Sequence, residues 1–276
     1  MELMRIHGTI PHLTIEDFGG FQSRNEHTMR LMWAAIELYR DRLTGKRYDF
    51  QVYTGDNPHK APEGALTYCE TDTHIAIPEF NFSAWPEVGI ESYESMTRAI
   101  AYAGSKPAKH DVLFWIGIIP ELHQRELLYK FGQDHPDLAN IVKMNWERPY
   151  AHEPDFKGGR QAATAYVSLP GHCEYSMLID VAGTCSSGRL KYLLHSNRPV
   201  FVVDQPECYH GSREWWFKKM QPVVDYIPIA RDLSDLAHWI TAIRASGWNP
   251  SQFAKNHLRR EDALARWGEV LEHIAK

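Results

Sequence analysis

The most informative stretch for chemistry is Tyr175–Leu194, YSMLIDVAGTCSSGRLKYLL. An apolar run leads into a turn containing Gly183, and Ser186, Ser187 and Gly188 then open a helix with Arg189 in its first turn. A helix N-terminus offers backbone N–H groups without intrahelical partners and about half a positive charge. Small residues let a ligand approach the backbone, and an arginine adds a bidentate, charge-assisted contact. Together these suit a diphosphate. The structural alternative is a capped strand-to-helix turn whose Arg189 makes a salt bridge. The spacing fits neither common phosphate fingerprint: GxGxxG is absent, and the GxxxxG ending at Gly188 continues as Arg-Leu, not as Lys-Ser/Thr.

A second strand-turn-helix, LFWIGIIPELHQRELLYKF, repeats the design over residues 113–131, with Gly117 at the strand end and Arg125 on the following helix. By itself Arg125 reads first as a surface ion-pair partner. If both helices point at one cleft, Arg125 and Arg189 neutralise a leaving diphosphate without a metal. No DxD-type carboxylate pair stands beside a strand end. Asp56 sits in the turn after the strand YDFQVY, where open α/β sheets place functional groups, although Gly-Asp-Asn-Pro is also a good structural turn. Phe80, Phe82 and Trp85 in PEFNFSAWP offer rings that stack on a sugar or anchor a loop. The run Glu214-Trp215-Trp216-Phe217 has the same two readings.

These residues need elements to position them. Apolar residues at helical spacing predict a helix over Asn25–Leu43, ended by Gly45. Alternation predicts a strand over Tyr48–Tyr53, residues 67–77 read as extended, and Glu91–Tyr102 reads as a helix. Gly104-Ser105-Lys106-Pro107 marks a boundary between residues 1–106 and 107–276. Beyond it, Val112–Ile116 is a short, nearly all-apolar strand of the kind buried in a parallel sheet, followed by a helix over Glu121–Phe131. Residues 145–170 read as loop-rich. Strands Ser176–Val181, Pro199–Val203 and Val223–Pro228 then alternate with helices Ser187–Ser196, Ser212–Met220 and Leu233–Ala245. That alternation implies an α/β fold with a parallel sheet. Leu258–Ile274 puts Leu264, Trp267, Leu271 and Ile274 on one face, as a helix docking on the core would.

Composition narrows the function classes. The chain has 276 residues, 43% hydrophobic and 24% charged, with a net charge of -5. That balance tilts against nucleic acid as the main partner, since a phosphate backbone calls for a basic surface. No run of about 18 apolar residues predicts a membrane span, and the first residues carry no signal-peptide pattern. Cys69, Cys173, Cys185 and Cys208 are widely spaced and read as free thiols in a reducing cytoplasm. The 15 histidines form no HExxH-type cluster.

The stretch YSMLIDVAGTCSSGRLKYLLHSNRPVFVVD, followed by EWWFKKMQPVVDYIPIARDLSDL, resembles glycosyltransferase family 90, which contains capsule-type and lipopolysaccharide-modifying transferases and Rumi-type protein O-glucosyltransferases. LFWIGIIPELHQRE is similar to a further family segment, keeping Gly117 and Arg125 but lacking its Ser-Arg-Thr-Ser core. VYTGDNP resembles the family's V-x-x-R-D-Y-P, placing the proposed catalytic base at Asp56 with Gly55 where the motif has arginine. EFNFSAW resembles an aromatic segment near the sugar site, and NHLRREDALARWGEVL the closing helix.

The resemblance implies a GT-B architecture: two Rossmann-like domains with a cleft between them, the acceptor against residues 1–106 and the donor against residues 107–276, with the last helix packing back. It implies an inverting, metal-independent glycosyltransferase using a UDP-sugar, hexose or pentose, and a glycan or glycolipid acceptor, with no further cofactor. In that reading Asp56 is the base. Arg189, Arg125, Gly117, Ser186, Ser187 and Gly188 hold the diphosphate, Gly183 and Glu214 the nucleoside, and Phe82 and Trp85 the sugar or acceptor. Peripheral contact with a membrane stays open. The alternatives are a catalytically silent nucleotide-sugar-binding protein of the same fold and another Rossmann-type nucleotide-sugar enzyme, against which the missing GxGxxG counts.

Overall fold

The computed structural model describes residues 2–119, 122–145, 164–183, 186–204 and 213–276. Cys185, Cys208, residues 146–163 of the expected loop, Glu121 and the first residue of the helix expected at Ser212 lie outside them.

The N-terminal half is built on a three-stranded antiparallel sheet of order β2-β1-β3, from β1 (Leu3–Thr9), β2 (His12–Asp17) and β3 (Arg47–Tyr53). The strands β2 and β3 flank β1 on either side. This is not the parallel sheet expected of a Rossmann-like domain, because the short segment at residues 10–11 between β1 and β2 allows only a hairpin. Against the sheet lie α1 (Gln22–Leu38) and the single turn α2 (Arg40–Leu43), which leave Tyr39 between them in a non-helical conformation. The expected single helix is therefore broken. Residues 67–90 run as extended chain and short 3-10 turns, including Phe80–Phe82, and lead into α3 (Tyr93–Gly104).

The second half carries the expected parallel sheet. Its strands are β4 (His110–Gly117), β5 (Ala139–Lys143), β6 (Tyr175–Asp180), β7 (Val200–Val203) and β8 (Ile227–Ile229), in the order β5-β4-β6-β7-β8. Every pairing is parallel. The apolar strands LFWI, MLI and FVV are buried because parallel sheets are covered on both faces. Between the strands come α4 (His123–Asp134) and the short turns α5 (Leu169–His172) and α6 (Leu190–Leu193), and after β8 come α7 (Leu236–Ser246) and α8 (Phe253–His257). The last helix is α9 (Arg260–Ile274), separated from α8 at Leu258, whose carbonyl accepts a hydrogen bond from the Tyr93 hydroxyl at 2.6 Å.

Two expected helices shrink. The one expected over Ser187–Ser196 survives only as the four residues of α6, with Arg189 as its N-cap. The Gly188 carbonyl accepts from the Asn81 amide and the Lys191 ammonium, and the Ser187 hydroxyl turns to Asp180, so side chains organise this turn. Of the helix expected to end at Met220, the described part is a 3-10 turn, Phe217–Lys219. Three consecutive aromatic residues cannot share one helical face, and Trp216 is drawn into the core.

One apolar cluster joins the halves, running from Met4, Leu31 and Phe82 to Phe114, Tyr192, Trp216 and Trp267. Within it α9 packs against α1 and α2, and an added Cβ at Gly268 would lie only 2.6 Å from the Tyr39 ring. A second cluster fills the other face of the parallel sheet. Cys69 is disulfide-bonded and Cys173 is a buried free thiol. The expectation of four free thiols therefore fails at Cys69. Among the described residues no helix is long and apolar enough to cross a membrane.

Candidate active site

Two cavities adjoin where the C-terminal ends of β4 and β6 face the N-terminal half. One, of about 220 Å³, is bounded by Arg24, Asp56, Tyr68, Glu79, Phe80 and Trp85. The other, of about 270 Å³, is more apolar and is bounded by Ile116, Arg125, Met144, Leu169, His172 and Arg189. Trp85, Gly183, Ser186 and Gly188 line both. The pair is on the scale of an organic-ligand site, and it sits where open α/β sheets bind their ligands.

Asp56 stands at the mouth with its side chain 59% exposed. Arg24, from the first turn of α1, reaches it at 2.7 Å through one guanidinium nitrogen and at 3.4 Å through another. The Arg24 guanidinium packs against the rings of Phe21 and Phe80, which fixes its direction. Burial works against the charge on Arg24, but Asp56 more than offsets it, and the guanidinium pKa is raised. Sequence reading missed Arg24: it lies 32 positions from Asp56 and only the pairing of α1 with the end of β3 joins them. At Gly55, an added Cβ would fall on the ends of the Glu2 and Tyr53 side chains, so the arginine of the family motif would need both of them to move.

The two arginines picked out from sequence converge. Arg125 donates to the carbonyls of Ile118 at 3.0 Å and Val181 at 3.3 Å, and Arg189 donates to the carbonyl of Ile116. Both guanidiniums lie over Trp115, 5.4 Å and 5.7 Å from its ring centre. Between the strand ends, buried Asp180 accepts from the Ser187 hydroxyl at 2.5 Å. Burial pushes the Asp180 carboxyl up, with Arg189 opposing, and burial lowers the Arg189 pKa. Gly117 borders the apolar cavity and Gly183 both cavities. A Cβ at Gly117 would meet the Trp115 ring at 2.6 Å, and one at Gly188 the Asn81 amide at 2.8 Å and the Trp85 ring at 3.1 Å.

Other expected residues fall elsewhere. Phe82 is wholly buried, against Tyr93 and Trp215. In the 3-10 turn it is Phe80 that borders the cavity, so of the expected aromatic pair only Trp85 reaches it. Glu214 is also buried, and its oxygens are occupied: one pairs with Lys191 at 2.9 Å and the other accepts from the Trp216 indole at 2.9 Å. A carboxylate so engaged is not offered to ribose hydroxyls. Lys191, fully buried, reaches Glu79 at 2.7 Å as well. Burial raises the Glu214 carboxyl to about 7, while Lys191 opposes that rise. This buried triad ties the Glu79 segment of the first half to the turn carrying Arg189.

The chain is similar to several curated proteins. It is 29% identical over 120 residues to human protein O-glucosyltransferase 1, a stretch covering 40% of this chain and 29% of that protein. It is 23% identical over 166 residues to the O-glucosyltransferase rumi of Drosophila melanogaster, covering 55% of this chain and 38% of that protein. An uncharacterised protein of Invertebrate iridescent virus 3 is 29% identical over 164 residues, covering 54% of this chain and 14% of the viral protein. The matched stretches thus span well under half the length of these relatives. Residues 48–276 match the family model described as Glycosyl transferase family 90, and the chain belongs to that family.

Proposed function

We propose that the chain is an inverting, metal-independent glycosyltransferase that moves a hexose or pentose from a UDP-sugar to a hydroxyl of a glycan or glycolipid acceptor. The observation that carries this reading is that the cavity holding Asp56 and the cavity holding Arg125 and Arg189 adjoin through Trp85, Gly183, Ser186 and Gly188. A donor laid along them presents its sugar near Trp85 and its diphosphate to the two guanidiniums. Asp56 takes the proton of the acceptor hydroxyl as that oxygen attacks the anomeric carbon. The bond to the diphosphate oxygen breaks on the opposite side, and its charge develops beside Arg125 and Arg189. Two fixed cations meet the need for neutralisation that a metal otherwise serves. Arg24 directs the Asp56 carboxylate.

In this reading the architecture is a GT-B variant divided near residue 106, whose acceptor half is built on an antiparallel sheet. The helix-dipole contribution first expected at Ser186–Gly188 is small, because α6 is a single turn, and the arginines carry the charge. A cytoplasmic location loses the support of free thiols, since a disulfide such as that at Cys69 persists in oxidising compartments.

The test is UDP release from UDP-glucose, UDP-galactose and UDP-xylose, with and without EDTA, together with thermal shifts by UDP. UDP-glucose comes first because the relatives are named O-glucosyltransferases. Release that is insensitive to EDTA and lost in Asp56→Asn is expected. Arg189→Ala should weaken UDP binding roughly 10-fold or more, the worth of a charge-assisted contact. A UDP shift without turnover of any donor would favour the silent binding protein instead.

A further inference from the structure

The cavity that holds Asp56 has a second carboxylate in its wall, which the proposed mechanism leaves unused. Glu79 is 9% exposed and lines this cavity with Arg24, Asp56, Tyr68, Phe80 and Trp85. It precedes the 3-10 turn Phe80–Phe82, yet its side chain caps none of that turn's N–H groups. Oε2 is taken up by the Lys191 ammonium at 2.7 Å. Oε1 accepts from no donor among the described residues. It stands where the two cavities meet: a Cβ added at Gly188, which lines both, would lie 3.3 Å from it. Two other polar side chains of the wall are committed. Arg24 is held by Asp56, and the Tyr68 hydroxyl pairs with that of Thr28 at 2.7 Å. A carboxylate has room for about four hydrogen bonds over its two oxygens, and a largely buried acceptor left short of donors calls for a reason.

We propose that Glu79 Oε1 reads the transferred sugar, accepting hydrogen bonds from its hydroxyls and so setting which sugar the chain takes. The inference rests on the donor reading above and adds the residue that selects among UDP-sugars. Charge sorts the two cavities in the same sense. Glu79 and Asp56 repel a diphosphate, whereas Arg125 and Arg189 attract it, so the part of the donor beside the carboxylates is the neutral, hydroxylated one. A hydroxyl donates to a carboxylate through a charge-assisted bond, stronger than one between neutral partners. Lys191 holds the carboxylate in place, and Trp85 in the same wall supplies an apolar surface for the C–H side of a sugar ring. Epimers differ only in the direction of one hydroxyl. A site built to receive that hydroxyl rejects the sugar that lacks it, because a buried acceptor is then left unpaired.

The experiment measures binding of UDP, UDP-glucose, UDP-galactose and UDP-xylose to the intact chain, to Glu79→Ala and to Glu79→Gln by titration calorimetry. In Glu79→Ala the Lys191–Glu214 pair remains matched one for one, and UDP, which carries no sugar, reports that the donor site is still formed. The wild type is expected to separate the tightest from the weakest of the three UDP-sugars by about 10-fold or more. Glu79→Ala should weaken the tightest of them about 10-fold or more and bring the three within about threefold of one another, with UDP affinity kept within about twofold. Glu79→Gln keeps an acceptor oxygen without the charge and should fall between the two. Equal affinity of the wild type for the three sugars overturns the assignment of Glu79, and so does selectivity that survives in Glu79→Ala. Weakening of UDP and the UDP-sugars by the same factor overturns it too, since Glu79 would then only hold the site together. In each of these cases the diphosphate reading stands. Failure of the wild type to bind UDP removes the donor site itself, and this inference with it.

Discussion

The pair Arg24–Asp56 shows how one side chain sets the use of another. An exposed carboxylate is free to swing through several rotamers, and a general base must stay within hydrogen-bonding reach of one hydroxyl. Arg24, braced between Phe21 and Phe80, restricts Asp56 through two contacts. Asp56→Asn keeps the shape and loses the basicity, so kcat should fall by about 10²- to 10⁴-fold with UDP affinity unchanged. Arg24→Gln should lower kcat by about 10- to 100-fold, the scale of a misplaced catalytic group, again with UDP affinity retained. Steady-state kinetics alongside calorimetry checks both. Full turnover in Asp56→Asn would remove that residue from the mechanism.

At the scale of elements, the buried triad Glu79–Lys191–Glu214 does the joining. It fastens the 3-10 segment beside Trp85 to α6 and to the 214–216 turn, using one cation for two carboxylates. Lys191→Met leaves both carboxylates buried without their counter-charge and should cost about 3–5 kcal/mol in urea unfolding. The pH dependence has a definite sign. Glu214 has a folded pKa of about 7, raised above its ordinary 4.5, so the folded chain holds this proton more tightly than the unfolded chain. The stability it contributes is complete below about pH 4.5 and is lost as pH rises through 7. Glu214→Gln should therefore flatten the fall in stability across that interval. Urea midpoints at several pH values read the difference, and an unchanged slope would assign the pH dependence to another group.

For the whole molecule, the governing fact is that one apolar cluster runs through both halves. The helix α9 is the chain's last element, yet it packs against α1, near its beginning. Trp267 of α9, wholly buried in that cluster, should cost about 3–5 kcal/mol when replaced by alanine. The wild-type chain should unfold in one cooperative transition by calorimetry and by tryptophan fluorescence alike. Two separated transitions would mean that residues 1–106 and 107–276 are independent folding units after all.

The sequence by itself determined the parallel sheet and the arginines at its edge. Runs such as LFWI and FVV record burial on both faces, and a strand followed by glycine and then by a helix places Arg125 and Arg189 at strand ends, whatever the rest of the chain does. Family membership was legible in the same residues, because the motif is contiguous around Arg189. Local pattern carries no information about pairings between distant segments, and that is where the reading ran out. The antiparallel first sheet, the Arg24–Asp56 pair and the Lys191 triad each join positions tens of residues apart. Glu214 and Phe82 looked equally suited to a ligand or to the core, since a carboxylate and a ring serve either. A buried lysine reaching from α6 decided the first, and the turn of Phe80–Phe82 decided the second. Only the tertiary structure fixes which polar atoms find partners, and so it alone distinguishes Glu214, whose oxygens are both engaged, from Glu79, whose Oε1 accepts from no donor among the described residues.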